Sequence, residues 1–280
     1  MTKAPSQAFD PAKVPVFILA GGLGTRISEE TSLRPKPMIE LGGVPILLHI
    51  MRWYYKFGFN DFVICAGYRS WEIKQYFLTY GFRKTHIEID HRVDMSLASR
   101  PYGPAAEDQE KWRVRVIDTG VDCMTGARIA RAFEAVSNEP FENFAVTYGD
   151  GVSDVPLDVE LKAHLEKGKI GTVLGVHPSA RFGELTLDAH NTVQDFAEKP
   201  QSRTDHINGG YFFFKRGFRD YVSVNPECVL ERDPLQRLAK DGQLSMFKHS
   251  GFWQPMDTLR DKTYLESLIE EHKAPWMVDT

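Results

Sequence analysis

Three groups of residues have types and spacings that could do chemistry. In the first, an apolar, β-prone run beginning at Val16 (Val16, Phe17, Ile18, Leu19, Ala20) empties into Gly21, Gly22 and Gly24, followed by Thr25 and Arg26, with Lys36 a short way on between Pro35 and Pro37. A triphosphate needs close backbone approach, a forked donor and a point charge together, which glycine amides, a guanidinium and an ammonium supply. The spacing matches neither common glycine signature. The third glycine of a dinucleotide fingerprint would fall on Ile27, and no Gly-Lys-Ser/Thr follows as in a P-loop. The second group is a pair of aspartates, Asp150 in Tyr148-Gly149-Asp150-Gly151 and Asp257 in Trp253-Gln254-Pro255-Met256-Asp257. Magnesium takes one or two carboxylates and completes its octahedron with phosphate oxygens and water, so the pair would suit that ion if the fold brought the two together. Asp154, Asp158 and Asp261 read instead as turn or helix caps. The third group, Glu198-Lys199-Pro200 with Asn208-Gly209-Gly210, offers a carboxylate, an ammonium and an amide on turns between strands, suited to sugar hydroxyls and a monophosphate.

The elements that must hold these groups alternate between the two structural periods. Val14 to Ala20 reads as a strand buried on both faces, the habit of a parallel sheet. Pro45 to Phe57 has apolar residues at helical spacing with Gly58 as a stop; Asp61 to Ala66 is a second strand, Trp71 to Leu78 a helix and His86 to Asp90 a third strand, in β-α-β-α-β order. Arg92 to Trp112, with Pro101, Gly103 and Pro104, reads as a mobile flap. Arg113 to Asp118 alternates as a strand and ends in Thr119-Gly120, and Thr125 could cap a helix from Gly126 to about Val136. Phe144 to Thr147 is a further strand, and it delivers Asp150 to its carboxyl end, where open α/β sheets place their chemistry. After a helix over Asp158 to Glu166 the texture changes to β-prone runs (Thr172 to Val176, Glu184 to Leu187, Thr192 to Phe196, Gly210 to Phe214), which favours mixed or antiparallel pairing. A helix near Asp233 to Lys240, a strand over Leu244 to Lys248 and a capping box at Thr258 and Asp261, opening a helix to about Glu271, complete the chain.

Composition narrows the function classes. A chain of 280 residues, 42% hydrophobic, can form one large domain or a domain with a smaller appendage. A formal net charge of -4 argues against a duplex-binding surface and leaves a local basic cleft for a small phosphorylated molecule. The three cysteines, Cys65, Cys123 and Cys228, form no CxxC pair, so neither a disulfide framework nor a zinc knot is expected, and a reducing cytoplasm is the default. Residues 1–13 read as a loose tail, and no long apolar span suggests a membrane. The histidines show no metal-ligand spacing; His49 reads as a packing residue, and Phe252, Trp253 and the Phe212-Phe213-Phe214 run read as core.

Taken in order, the stretches LAGGLGTR, PKPM, TYGDG, AEKP, INGG and WQPMDT resemble the sugar-1-phosphate nucleotidyltransferases, over about Val14 to Trp276. LAGGLGTRISEET, the Thr125-Gly126 region and FWQPMDTLRDK resemble in particular the branch that joins CTP to glucose 1-phosphate. The resemblance implies a three-layer α/β fold of the nucleotide-diphospho-sugar transferase type with a mixed, mainly parallel central sheet. It also implies a single domain over 14–280, with a nucleotide-binding half to about 150 and a sugar-phosphate-binding half beyond, and a homo-oligomer that binds no nucleic acid. The family's roles fall on this chain as follows. Backbone amides of Gly21, Gly22 and Gly24, with Arg26, would hold the β and γ phosphates, Lys36 would neutralise charge at the α-phosphorus, Leu19, Ala20 and Thr25 would also lie at the nucleotide, and Arg26 and Lys36 would be the catalytic pair. Thr119, Thr125, Arg128 and Gly149 would lie at the nucleotide; Arg128, Glu198, Lys199, Asn208 and Gly209 at the sugar phosphate; Asp150 and Asp257 at magnesium. Arg34 stands where lysine is usual and Ala127 where a second glycine is. Two other readings remain open. A glycosyltransferase would want a second aspartate in a DxD motif, which Gly149-Asp150-Gly151 lacks, and a non-catalytic regulatory subunit could lose Lys36 or a metal aspartate.

Overall fold

The computed structural model describes residues 10–27, 31, 34–83, 86–89, 92, 99–102, 110–177, 184–187, 192–197 and 206–278, with backbone alone at 26, 86, 87, 89, 99–102, 184–187 and 195–197. Seven strands form the central sheet: β1 (Val16–Ala20), β2 (Asp61–Ala66), β3 (Arg113–Asp118), β4 (Asn143–Tyr148), β5 (Gly171–Val176), β6 (Ile207–Lys215) and β7 (Leu244–His249). Their spatial order is β7-β5-β6-β4-β1-β2-β3. All pairings are parallel except those of β6, which runs against both β5 and β4.

Strict alternation along the central strands gives each face its own core. Val16, Ile18 and Ala20 of β1, Phe62, Ile64 and Ala66 of β2, and Tyr211 and Phe213 of β6 point into one cluster. Phe17, Leu19, Val63, Cys65, Phe212 and Phe214 point into the other. Helices α1 (Ile46–Lys56), α2 (Ser70–Leu78), α4 (Leu157–Lys167) and α6 (Leu259–Glu270) cover the first face, while α3 (Thr125–Ala135) and α5 (Asp233–Lys240) cover the second. A sheet buried on both faces by helices is the three-layer α/β arrangement, and it explains why β1 is apolar at every position. Among the described residues no helix is long and apolar enough to cross a membrane.

Two expectations change. His86–Ile89 is a strand but not the third member of the main sheet; it pairs antiparallel with Ser99–Tyr102 in a separate two-stranded sheet, and β3 takes the place beside β2. Alternation identifies a strand without identifying its partner. That pairing also places a strand inside the stretch read as a flap, of which 93–98 and 103–109 lie outside the described residues. Thr125 does not cap α3: Met124 holds the N-cap position in extended geometry and Thr125 is the first helical residue. The capping box at Thr258 and Asp261 is present with both of its hydrogen bonds.

The first core holds an ionisable group that the site does not use. Glu160, on the inner face of α4, is fully buried, and among the described residues neither of its carboxyl oxygens has a hydrogen-bond partner. Burial pushes its pKa up to about 8. One turn later, buried His164 bonds the Thr172 hydroxyl through Nδ1 at 2.9 Å, and burial pushes its pKa down to about 4. Folding therefore favours a proton on Glu160 and disfavours one on His164. The Glu160 contribution to stability is complete below the ordinary carboxylate pKa and is lost as pH rises through about 8. The His164 contribution is complete above 6.5 and is lost as pH falls towards about 4, and His49, also lowered by burial, acts in the same sense. Below pH 6.5 these slopes oppose each other, so the window above it isolates Glu160. Urea denaturation of the wild type between pH 6.5 and 7.5 is expected to lose about 1.4 kcal/mol more stability per pH unit than Glu160→Gln. Equal slopes in the two proteins would count against a protonated Glu160.

Candidate functional site

A cavity of about 560 Å³ opens at the C-terminal edge of β1 and β4, where the parallel strands end and the antiparallel β6 begins. On its floor the Lys36 ammonium sits 2.6 Å from Asp150 Oδ2 and 2.7 Å from Asp257 Oδ1. Lys36 is only 8% exposed. Its backbone is stiffened by the flanking prolines in a single 3-10 turn, Lys36–Met38, closed by Met38 N–H donating to Pro35 O at 2.8 Å. Each aspartate is placed by one of a pair of short antiparallel strands. Gly151–Ser153 follows Asp150 and pairs with Trp253–Pro255, which precedes Asp257, and Met256 N–H donates to Asp150 O at 2.8 Å. Asp261 then fixes Asp257 from behind, accepting its backbone N–H at 3.1 Å while capping α6. Asp154 serves a turn, accepting from Phe252 N–H at 2.7 Å and bonding His249 Nε2 at 2.8 Å.

Two carboxylates converging on one ammonium form a donor set that accepts a cation. The oxygen ligands and the two negative charges suit magnesium. No group of three or more His, Cys, Asp and Glu side chains gathers around a metal position among the described residues. A metal ion here would take two protein ligands and fill its remaining positions from phosphate and water, the habit of magnesium rather than of a structural zinc site.

The glycine loop is held from inside the protein. Gly21 O accepts from Tyr68 N–H at 3.1 Å and from Arg128 Nη2 at 2.8 Å; Gly24, at φ +64°, has its carbonyl bound by the Thr31 hydroxyl at 3.1 Å. A Cβ at Gly21 would lie 2.0 Å from the Arg128 guanidinium and one at Gly149 would lie 2.7 Å from Leu19 O, so both positions require glycine for close approach. Arg128 itself, 4% exposed, donates through Nη1 to Thr119 Oγ1 (2.9 Å) and Gly120 O (2.7 Å), and through Nη2 also to Val121 O (3.0 Å). Burial lowers its pKa from the ordinary value. The guanidinium lines the cavity but is spent on carbonyls that bind the glycine loop to the end of β3. Thr119 is fully buried behind it, its hydroxyl donating to Ala66 O at 2.6 Å.

The opposite wall carries Tyr148, Asn208, Glu231 and Trp253. Asn208 Nδ2 donates to the Tyr148 hydroxyl at 3.2 Å, the Tyr148 hydroxyl donates to Glu231 Oε1, and Thr125 Oγ1 donates to Glu231 Oε2 at 2.7 Å. Trp253 Nε1 donates to Gly209 O at 2.7 Å. Burial, reinforced by the Glu231 carboxylate, raises the Tyr148 pKa well above its ordinary value. Gly210 adopts φ +77°, and a Cβ there would meet the Tyr148 ring at 2.3 Å.

Leu19, Ala20, Gly21, Gly22, Gly24, Thr25, Lys36, Thr125, Arg128, Asp150, Asn208 and Asp257 all line this cavity. Gly149 packs under β1 and Gly209 behind Trp253, each one residue from a lining position. The Arg26 side chain and both Glu198 and Lys199 lie outside the described residues. Sequence reasoning missed Tyr148 and Glu231; Trp253, read as core, does pack against the first core and also lines the cavity. Tyr148 sits beside Gly149-Asp150 and could have been found from that motif, whereas Glu231, within Leu230-Glu231-Arg232-Asp233, carries no local signal. A second hollow, of about 650 Å³, lies at the opposite edge of the sheet by Val14 and Asn143, where Arg216 is spent on the carbonyls of Ser137, Glu139 and Phe141.

A glycine loop, a lysine and two converging carboxylates at the strand ends are what phosphate handling requires, and residues 15–261 match the nucleotidyl transferase family, to which the chain belongs. More particularly, it is 44% identical over 259 residues to the glucose-1-phosphate cytidylyltransferase of Salmonella typhi, covering 92% of this chain and 97% of that one. It is 27% identical over 265 residues to the mannose-1-phosphate guanylyltransferase catalytic subunit beta of Xenopus tropicalis, covering 91% of this chain and 66% of that one. The crystal structure of HddC from Yersinia pseudotuberculosis superposes with a TM-score of 0.62 at 20% identity, covering 91% of this chain and 99% of that one, and shares the fold.

Removing the Arg128 guanidinium takes their donor from Gly120 O and Val121 O and one of two donors from Gly21 O. Arg128→Met is expected to cost about 3 kcal/mol in urea denaturation and to speed amide hydrogen exchange in the Gly21 to Gly24 loop. Arg128→Lys should recover only part of this, because one ammonium cannot reproduce a forked geometry.

Proposed function

We propose that this protein transfers the cytidylyl group of CTP to α-D-glucose 1-phosphate, giving CDP-glucose and pyrophosphate, with magnesium as cofactor. The observation that carries the reading is the convergence of Lys36, Asp150 and Asp257 on the floor of the cavity entered by the glycine loop. The 44% identity to a glucose-1-phosphate cytidylyltransferase supports the choice of base and sugar.

The chemistry explains the residue types. A sugar phosphate is already an anionic nucleophile, so no general base is needed; the obstacle is bringing two polyanions into line. When bound, magnesium would supply positive charge shared by the phosphates, held by Asp150 and Asp257. The rest falls to the chain. Backbone amides of Gly21, Gly22 and Gly24, with Thr25 and Arg26, would hold the departing pyrophosphate in line. Lys36 would leave its carboxylate cradle to neutralise charge at the α-phosphorus. Thr125 would border the nucleotide, with Thr119 and Arg128 setting the wall behind it, and Glu198, Lys199, Asn208 and Gly209 would receive the sugar phosphate. In this division residues 14–150 serve mainly the nucleotide and 151–280 the acceptor.

Pyrophosphate release with glucose 1-phosphate and magnesium, comparing CTP with UTP, dTTP and ATP, tests the proposal. CTP is expected to be fastest. Faster release from UTP or dTTP would move the protein to another branch of the family, and no release with any of them would overturn the assignment. Lys36→Ala and Asp257→Ala are each expected to lose at least about a hundredfold in kcat, the scale of one preorganised electrostatic contact.

A further inference from the structure

Glu231 is a carboxylate in a cavity that must take up polyanions. Like charge in such a place weakens binding of the protein's own ligands, so its presence calls for a compensating role. Its contacts indicate which. An ionised carboxylate only accepts hydrogen bonds, so both hydroxyls that touch it must donate: Thr125 Oγ1 to Oε2 at 2.7 Å, and the Tyr148 hydroxyl to Oε1. Thr125 then has only lone pairs left, and one accepts Leu230 N–H at 2.9 Å. The single phenolic proton of Tyr148 is likewise used, so toward Asn208 its oxygen can only accept. Asn208 must therefore turn its NH₂ to Tyr148, at 3.2 Å, and its Oδ1 to Gly210 N–H, at 2.8 Å. Gly210 N–H, which can only donate, demands the same orientation, so the amide is fixed from both ends.

We propose that Glu231 is a positioning residue for the acceptor subsite: by taking the Tyr148 proton its charge anchors one end of a hydrogen-bond chain whose other end is held by Gly210 N–H on Asn208, and so keeps in place the group each presents to the cavity they line. Asn208 offers its second N–H and Tyr148 offers a lone pair. A donor beside an acceptor fits a sugar hydroxyl, which can accept from one and donate to the other, better than a phosphate oxygen, which only accepts. The chain also ties the end of β4 to the start of α3 and the segment leading into α5, which are themselves joined by Met124 N–H donating to Pro226 O at 2.8 Å and Ala127 N–H to Cys228 O at 3.0 Å.

The proposal rests on the acceptor being a hexose 1-phosphate, and two measurements separate its failure from failure of that reading. In steady-state kinetics, Glu231→Gln, which keeps shape and removes charge, is expected to raise KM for glucose 1-phosphate about tenfold, the worth of one charge-assisted hydrogen bond, while kcat and KM for CTP stay within about twofold. Tyr148→Phe should give the same pattern, and the double variant should be no worse than Tyr148→Phe alone, because both cut one chain. Glu231→Asp should recover part of the loss. A structural role alone would instead lower the melting temperature and move both KM values together. Unchanged KM for glucose 1-phosphate in Glu231→Gln, or a rise confined to CTP, overturns the proposal. The second measurement needs no turnover. In the wild type, the Asn208 side-chain amide protons, assigned by their loss in Asn208→Asp, should be well separated and protected from exchange in NMR spectra, and in Glu231→Gln they should approach solvent values. Identical spectra overturn the proposal even if no triphosphate is turned over.

Discussion

The Lys36 ammonium, 2.6 and 2.7 Å from two carboxylates, solves a problem that the fold creates for itself. Asp150 and Asp257 are brought side by side by the pairing of Gly151–Ser153 with Trp253–Pro255, and two partly buried carboxylates with nothing between them would repel and pay for lost hydration. Lysine compensates them, so the strand pair can close and carry α6 into place. Were a stronger cation to bind there, as proposed above, the same pair would receive it. Structural closure and readiness to bind thus come from one contact, and the prolines on either side of Lys36 keep it in register with both aspartates.

The rest of the site follows from the direction of the strands. Four neighbouring strands, β3, β2, β1 and β4, run parallel and deliver their ends to one edge, as doubly wound sheets do. The reversed strand β6 begins where the others stop. Its register, Tyr211 against Thr147, brings Asn208, which lies near the start of β6 and not on the turn expected from the sequence, beside Tyr148, so one antiparallel strand adds a further wall to an edge built by parallel strands.

Much of this was legible in the sequence, for identifiable reasons. Asp61–Ala66 and Arg113–Asp118 were read to the residue because an apolar or alternating run is bounded sharply on both sides. The paired aspartates were readable because each follows an apolar run and sits next to small or turn-forming residues. What could not be read was direction and partnership. Arg128 has the charge expected of a phosphate ligand, yet its guanidinium, at the cavity wall, is bonded to the carbonyls of Gly21, Gly120 and Val121. His86–Ile89 has the alternation of a strand but pairs outside the main sheet. Glu231 belongs to the site only because α3, β4 and the approach to α5 converge, and no spacing within the chain announces a three-element junction.

The inward-facing Arg128 also bears on the order in which the molecule is completed. The glycine loop follows the first strand and leaves the ribosome early, but the guanidinium that bonds Gly21 O and draws the end of β3 against it belongs to a helix synthesised more than a hundred residues later. Until that helix docks, the loop has its bonds from Tyr68 and Thr31 but not its tie to the end of β3. A nascent chain that ends before residue 128 therefore carries the most recognisable motif of the protein without that tie, and the loop's full set of hydrogen bonds reports the docking of the second layer rather than the appearance of the motif.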